Sequence, residues 1–304
     1  MAVDDQKAQF DAMPVAERQA VPFGTYGLSS AREAVRSFGN DLPINWIGRK
    51  LNSALRYVSV FGKDSPYDIE VFPAEYARLY PTSNRCEKRA LCGTQFWDLE
   101  ERTFLETKIR ETKQSNPFVF VDAGANIGLY SLFARSVARQ CGVSDFQLVC
   151  IEPDPVNSSR LAFNMAQSAY GKLDICRVAL GSTAGFSALT AAGKNRGEIH
   201  IDESPEIKKR TPMISLSALA DELTLQRVDV LKIDVEGYEE KVLRPFFEQA
   251  VKSLWPRGII IETEIAGEPS PAILTCFEAG YELVSWTHIN VILALPDAAA
   301  GFAN

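Results

Sequence analysis

Hydrophobic and polar positions follow two patterns along this chain. From Phe118 onward, short continuous apolar runs alternate with segments of helical period. FVFVD (118–122) is followed by an apolar-periodic helix from about Leu129 to Gln140, and FQLVCIE (146–152) by a helix over PVNSSRLAFNMAQSA (155–169). LDICRVAL (173–180), VDVLKID (228–234) and RGIIIE (257–262) are the third, fourth and fifth runs, with the helix GYEEKVLRPFFEQA (237–250) between the last two. Such runs separated by helices predict an α/β fold with a parallel sheet covered on both faces. At the C-terminal end, YELVSW and INVILAL are separated by Thr287 and His288, which is hairpin spacing and demands antiparallel pairing. GFSALT and PMISL, between the third and fourth runs, predict a small two-stranded insertion around the AAGKNRGE loop.

Before Pro117 the pattern is looser. Residues 1–40 are polar and mixed and read as a mobile or loosely docked arm. Ile44, Ile47, Leu51, Leu55 and Val58 fall at helical spacing within LPINWIGRKLNSALRYVSVF, predicting a helix that packs on the main domain. YDIEVFP and YARLYP read as two short strands, and DLEERTFLETKIRE as a helix with Asp98 as its N-cap. Two units are therefore expected: residues 1–110 as an arm and an acceptor-binding or lid extension, and residues 111–304 as the main domain.

Composition narrows the function. The 304 residues carry a formal charge of −7, which argues against a nucleic-acid partner, since phosphate-backbone affinity needs clustered Lys and Arg. RLYPTSNRCEKR is a local exception, where Arg78, Arg85, Lys88 and Arg89 outnumber Glu87; it reads as a solvated surface or as a contact for an anionic or sugar-phosphate acceptor. Six cysteines show no CxxC pair and no zinc spacing with His200 or His288. No stretch approaches the roughly 20 apolar residues of a spanning helix, and the N-terminus lacks the basic start and apolar run of a secretory leader. These features predict a cytoplasmic protein without stable membrane insertion.

In an open parallel sheet, ligands bind beyond the carboxyl ends of the strands. The turn after the first strand reads DAGANIG, Asp122 to Gly128. Gly124 permits a positive φ and close backbone approach, and Gly128 tight packing of helix on strand. The turn lacks the GxGxxG of a dinucleotide site, and Asp122 stands where a pyrophosphate would be repelled, so a cationic or zwitterionic ligand fits better. Glu152 ends the second strand, where a carboxylate accepts both hydroxyls of a ribose. Together they suit S-adenosylmethionine. The alternative is that the glycines only shape a turn and Glu152 caps a helix. Lys232, Asp234 and Glu236 cluster at the end of the fourth strand, either as a structural ion network or with a carboxylate that receives a hydroxyl proton.

With those blocks in view, the chain resembles the FkbM family of S-adenosylmethionine-dependent methyltransferases: DAGANIGLYS, IEPDPVNSSRLAFN, RVALGSTAG and VDVLKIDVEGYEEKVL look like its motifs, from Val119 to Glu264. The resemblance implies a Rossmann-like methyltransferase fold, a seven-stranded sheet of order 3-2-1-4-5-7-6 with strand seven antiparallel, and O-methylation of a sugar, glycan or natural-product hydroxyl. On this reading Asp122, Gly124, Asn126 and Gly128 hold the methionine part of S-adenosylmethionine, Glu152 the ribose, and Ala179 and Leu180, ending strand three, flank the adenine. Asp234 orients or deprotonates the acceptor, with Glu236 and Glu262 next to it. These three acids would also suit magnesium, but the resemblance demands no metal and none is assigned. His288 is either a base at the acceptor mouth or a solvated turn residue. Two other readings stand: an NAD(P)-dependent Rossmann oxidoreductase and a non-catalytic S-adenosylmethionine-binding module.

Overall fold

A computed structural model describes residues 21–63, 65–82, 85–112, 116–191, 199–202, 210–263 and 267–296. The N-terminal part supplies α1 (Ser30–Asn40), α2 (Trp46–Val60), the antiparallel pair β1 (Tyr67–Phe72) and β2 (Glu75–Leu79), α3 (Arg85–Leu91) and α4 (Leu99–Glu111). Then come β3 (Phe118–Ala123), α5 (Leu129–Cys141), β4 (Phe146–Ile151), α6 (Pro155–Met165) and β5 (Lys172–Cys176). The insertion holds β6 (Ala179–Leu180), β7 (Gly185–Ala191), β8 (Ile199–Asp202) and β9 (Arg210–Ile214). The rest of the chain forms α7 (Leu216–Glu222), β10 (Val230–Ile233), α8 (Glu239–Gln249), β11 (Gly258–Glu262), α9 (Pro271–Glu278), β12 (Glu282–Trp286) and β13 (Asn290–Ala294).

The central sheet has seven strands in the order β12-β13-β11-β10-β3-β4-β5. Renumbered along the sheet, that is the expected 3-2-1-4-5-7-6. β13 runs antiparallel to both β11 and β12, and the pairs among β5, β4, β3, β10 and β11 are parallel. Because side chains alternate along a strand, β3 feeds two cores. Phe118 and Phe120 pack with Leu132, Phe133, Leu161 and Phe104 on one face, while Val119 and Val121 pack with Leu219, Val242, Phe246 and Ile273 on the other. Each fully buried side chain of this kind stabilises the fold by roughly 1.5–3 kcal/mol.

The first core also takes in Ile69, Leu79, Leu91 and Trp97, so the N-terminal strands share a hydrophobic interior with the sheet. Buried ion pairs cross the same seam. Glu75 of β2 meets Arg135 of α5 at 2.6 Å, and Glu87 of α3 meets Arg160 of α6 at 3.0 Å. Arg78 is neither solvated nor a ligand contact: it forks onto Asp68 at 2.7 and 3.0 Å and lies over the rings of Tyr26 and Phe163. Within the expected loose arm, residues 21–40 are docked. The backbone N–H groups of Gly24 and Tyr26 donate to Asp68, and the buried Arg36 of α1 donates to the carbonyl of Glu70. Residues 1–20 lie outside the described part.

Three further expectations change. α2 exists, but it turns its polar side inward: Gly48, Asn52 and Ser59 are buried and Leu55 is half-buried, while Ile47, Leu51 and Val58, with Ile44 just before the helix, are exposed. Small and hydrogen-bonding residues allow that approach, since a Cβ on Gly48 would stand 2.0 Å from the Pro43 carbonyl oxygen and Asn52 donates to the carbonyl of Cys92. The insertion has four strands, β6-β9-β7-β8, rather than two. The third strand ends at Cys176, so Ala179 and Leu180 do not end it; they open the second sheet, opposite Met213 and Ile214. Helices α7 and α9 were not foreseen: each is short, although each begins at a serine whose hydroxyl caps it, Ser215 and Ser270. Among the described residues no helix is long and apolar enough to cross a membrane.

Candidate active site

The carboxyl ends of β3, β10 and β11 open on a cavity of about 280 Å³. Asp122, Gly124 and Asn126 line one side of it, and Asp234, Glu236 and Glu262 another. Parallel pairing sets this meeting, because Lys232 stands opposite both Asp122 and Ile260. Gly124 has φ 80°, and a Cβ there would lie 1.8 Å from the carbonyl oxygen of Asp234. Only glycine lets the turn lie against the end of β10. Asn126 (φ 52°) and Glu236 (φ 55°) are also left-handed, so both turns bend sharply at the cavity.

The buried charges are arranged in a chain. Ser131 donates to one oxygen of Asp122 at 2.6 Å, and the other, Oδ1, is buried without a partner. Burial pushes the Asp122 carboxyl up, with Lys232 opposing. Lys232 donates to Asp234 at 2.9 Å and lies 5.2 Å from the Tyr130 ring centroid. Burial alone would lower its pKa, but Asp234 and Asp122 outweigh it and hold the ammonium firmly charged. Glu262 is pushed up to about 9 by burial and then by the charge of Asp234, with which it shares a hydrogen bond. Against its own burial, Asp234 is held below the usual range by Lys232 and by that hydrogen bond. At neutral pH the pair is thus an ionised Asp234 and a protonated Glu262.

The four other predicted site residues do not line this cavity. Glu152 is buried and receives the N–H groups of Asn126 and Asp154, each at 2.8 Å, which ties the end of β4 to the glycine turn. Burial pushes its carboxyl up to about 8. Gly128 faces α6, where a Cβ would meet Leu161 at 2.5 Å. Ala179 and Leu180 are buried in the second sheet. His288 lines a neighbouring cavity, and the side chain of His200 falls outside the described residues.

Several residues of the site lie outside the strand-end motifs that point to it. Asp98 precedes α4 as expected but makes no cap; with φ 42°, it accepts the Tyr130 hydroxyl at 3.0 Å and lines the cavity. Arg89, Trp97 and Asn290 line it as well. Arg89 belongs to the basic stretch read as a surface or an anionic contact, whereas Asp98, Trp97 and Asn290 stand in no pattern that marks a site and are brought in by tertiary contact.

A central sheet with an antiparallel final pair, and a glycine turn backed by acids at its carboxyl edge, define a methyltransferase of the Rossmann-like class. Residues 122–283 match the model of the methyltransferase FkbM domain, more than half of the chain. The protein belongs to the FkbM family of methyltransferases, and the NAD(P) oxidoreductase reading is thereby set aside. Methyltransferase sdnD of Sordaria araneosa is similar, 30% identical over 181 residues, which is 49% of this chain and 67% of that protein. Among solved structures, TYW2 of M. jannaschii in complex with AdoMet has 12% identity and a TM-score of 0.39, covering 77% of this chain and 87% of its own. Aeropyrum pernix fibrillarin with natively bound S-adenosyl-L-methionine has 11% identity and a TM-score of 0.38, covering 77% and 82%. Both likenesses are too low to bear on the assignment.

The family's cofactor is S-adenosylmethionine, and the residues present fit it. The unpartnered Oδ1 of Asp122 offers an acceptor to an ammonium group. The cavity lining carries five acids, Asp98, Asp122, Asp234, Glu236 and Glu262, against Lys232 and Arg89, a balance that favours a cation.

Proposed function

We propose that this methyltransferase acts on oxygen, and that its acceptor is a hydroxyl of a sugar, glycan or other small natural product. The observation that carries the reading is the placement of Asp234, a carboxylate fixed by Lys232 at 2.9 Å on the cavity wall, with 34% of its side-chain surface open. Bound S-adenosylmethionine supplies a methyl group on a sulfonium, electrophilic enough that little covalent chemistry remains for the protein. Side chains therefore bind, orient and manage one proton. Asp122 and the Gly124–Asn126 turn hold the methionine part, and Glu152, through its grip on Asn126, shapes the turn and faces the ribose. Asp234 accepts the hydroxyl hydrogen at Oδ1 or Oδ2 and draws the oxygen into line. Glu262, protonated, keeps the second carboxylate from competing. Trp97 and Asp98 wall the crevice from water.

Asp234→Asn should leave affinity for S-adenosylhomocysteine within about twofold while lowering turnover by roughly 10²–10⁴. An unchanged rate at saturating acceptor sinks the assignment. The same variant separates an enzyme from a binding module, because a module has no turnover to lose. A melting-temperature rise with S-adenosylhomocysteine, and none with NAD, checks the cofactor. The six cysteines are free thiols, which supports a reducing, cytoplasmic setting, and the net negative charge supports a small-molecule or glycan acceptor over nucleic acid.

A further inference from the structure

A second, larger cavity of about 610 Å³ adjoins the site, and the two share the wall made by Arg89, Asp98 and Ile289. Arg49 and Arg56 of α2 line it, together with Gln95 and, from the C-terminal hairpin, His288. Three guanidinium groups thus face one space. Arg56 is the most telling of them. Its Nε is buried with no hydrogen-bond partner, and no carboxylate pairs with it among the described residues. Burial disfavours its charge, and the nearby Arg89 adds to that. Arg49 lies over the ring of Phe96, 5.7 Å from its centroid.

The acids on the same cavity are Asp98, Glu100 and Glu101, and each accepts a hydrogen bond from a residue other than the three arginines. Asp98 accepts from Tyr130, Glu100 from Ser285 at 2.9 Å, and Glu101 from Thr287 and Asn290 at 2.6 and 2.8 Å. Gln95 repeats the pattern of Arg56 with opposite polarity. Its amide donates to the carbonyls of Gly39 and Leu42, which fixes its orientation, while Oε1 is buried and has no partner. The cavity therefore presents an unmatched donor, Arg56 Nε, beside an unmatched acceptor, Gln95 Oε1. A buried unpaired polar group destabilises the protein, and a bound ligand of matching chemistry would recover that cost.

We propose that the acceptor carries an anionic group, a phosphate or a carboxylate, seated on Arg56 and Arg89, and that Gln95 Oε1 receives one of its hydroxyls while the hydroxyl to be methylated reaches Asp234. This names the acceptor class within the reading above and rests on it. Guanidinium groups bind either anion in a forked geometry, so the residues recognise the shared chemistry and the probes separate the sources.

The test uses the full chain saturated with S-adenosylhomocysteine and four probes: inorganic phosphate, glucose 1-phosphate, glucuronate and methyl glucoside. Ligand-observed magnetic resonance reads binding to wild type, Arg56→Gln and Arg89→Gln. Glucose 1-phosphate or glucuronate should bind at least tenfold more tightly than methyl glucoside, and each variant should lose that preference while keeping S-adenosylhomocysteine affinity within twofold. Preference for glucose 1-phosphate together with inorganic phosphate assigns a phosphate; preference for glucuronate assigns a carboxylate. Methyl glucoside binding as tightly as the charged sugars overturns the inference, as do variants that keep the preference. Loss of S-adenosylhomocysteine binding by the wild type would instead overturn the cofactor reading beneath it. Arg89 is exposed, so its variant remains informative if Arg56→Gln folds poorly.

Discussion

Asp122, Gly124 and Asn126 stand within one five-residue turn, whereas Arg56, Arg89, Gln95 and His288 reach their common cavity from four separate segments. The two halves of the crevice are thus built by different means. At the cofactor end, backbone geometry does most of the work: strand register brings Lys232 beside Asp122, and a left-handed glycine lies against the end of β10. At the end proposed for the acceptor, side chains are carried in by the N-terminal part, whose β2 and α3 are held against α5 and α6 by buried ion pairs. A cofactor site of this kind tolerates little change in its backbone. An acceptor wall of this kind changes by substitution without disturbing the sheet, provided the seam behind it holds.

The seam is where the largest effect is expected. Glu75 is fully buried and receives Arg135, Arg139 and Ser168. Glu75→Gln leaves the Arg135 charge buried without its counter-ion and should cost about 3–5 kcal/mol of unfolding free energy. Denaturant titration reads this, and a midpoint unchanged from wild type would show that the N-terminal part is not held by this pair. Next comes the glycine turn. Gly124→Ala puts a methyl into the Asp234 carbonyl and a side chain at φ 80°, a strain of roughly 1–3 kcal/mol, and should weaken S-adenosylhomocysteine binding at least tenfold by calorimetry. Gly93→Ala is the matched control on the other wall. Its φ is 89°, but the nearest atoms belong to the Asn52 side chain, so cofactor affinity should stay within about twofold of wild type. Equal losses from both glycine variants would dissolve the distinction between the two ends. A smaller effect belongs to Glu152→Gln. Replacing one of the two oxygens that accept backbone N–H groups by an amide donor should weaken cofactor binding by up to about 10-fold, in line with the roughly 0.5–1.5 kcal/mol of an ordinary hydrogen bond. Affinity unchanged by that substitution removes Glu152 from the site.

The same division explains what could be read in the sequence. The parallel strands and the antiparallel final pair follow from apolar runs, helical periods and hairpin spacing, all of them local patterns, and the six predicted residues that line the smaller cavity sit at strand ends or in the turns that follow them. Where tertiary contact overrides local pattern, reading fails. The apolar stripe of α2 points outward because Gly48 and Asn52 give a closer fit against the segments around Pro43 and Cys92. Asp98 has the sequence position of a cap, but its left-handed backbone turns the carboxylate towards Tyr130. The RLYPTSNRCEKR stretch splits three ways: Arg78 is sealed in an ion pair, Glu87 pairs with Arg160, and Arg89 reaches the crevice. Charge along a sequence does not say which member of a cluster will be buried.

The finest prediction concerns the proton held between Asp234 and Glu262, where the two ends meet. In the folded protein, burial and then the charge of Asp234 push the Glu262 carboxyl up to about 9. The folded state therefore binds this proton more tightly than the unfolded chain does. Stability contributed by the group is fully present below the unfolded carboxyl pKa of about 4.3 and is lost progressively as pH rises towards the folded value. Wild type should show a melting temperature that declines between pH 6 and 9. In Glu262→Gln the decline should be shallower, because the amide keeps the hydrogen bond to Asp234 without a proton to lose. Glu152, raised to about 8 by burial, supplies part of the remaining slope. A variant whose melting temperature falls as steeply as that of wild type would place the shared proton elsewhere, and Asp234 would then lose the protonated neighbour that leaves it the only charged acceptor of the pair.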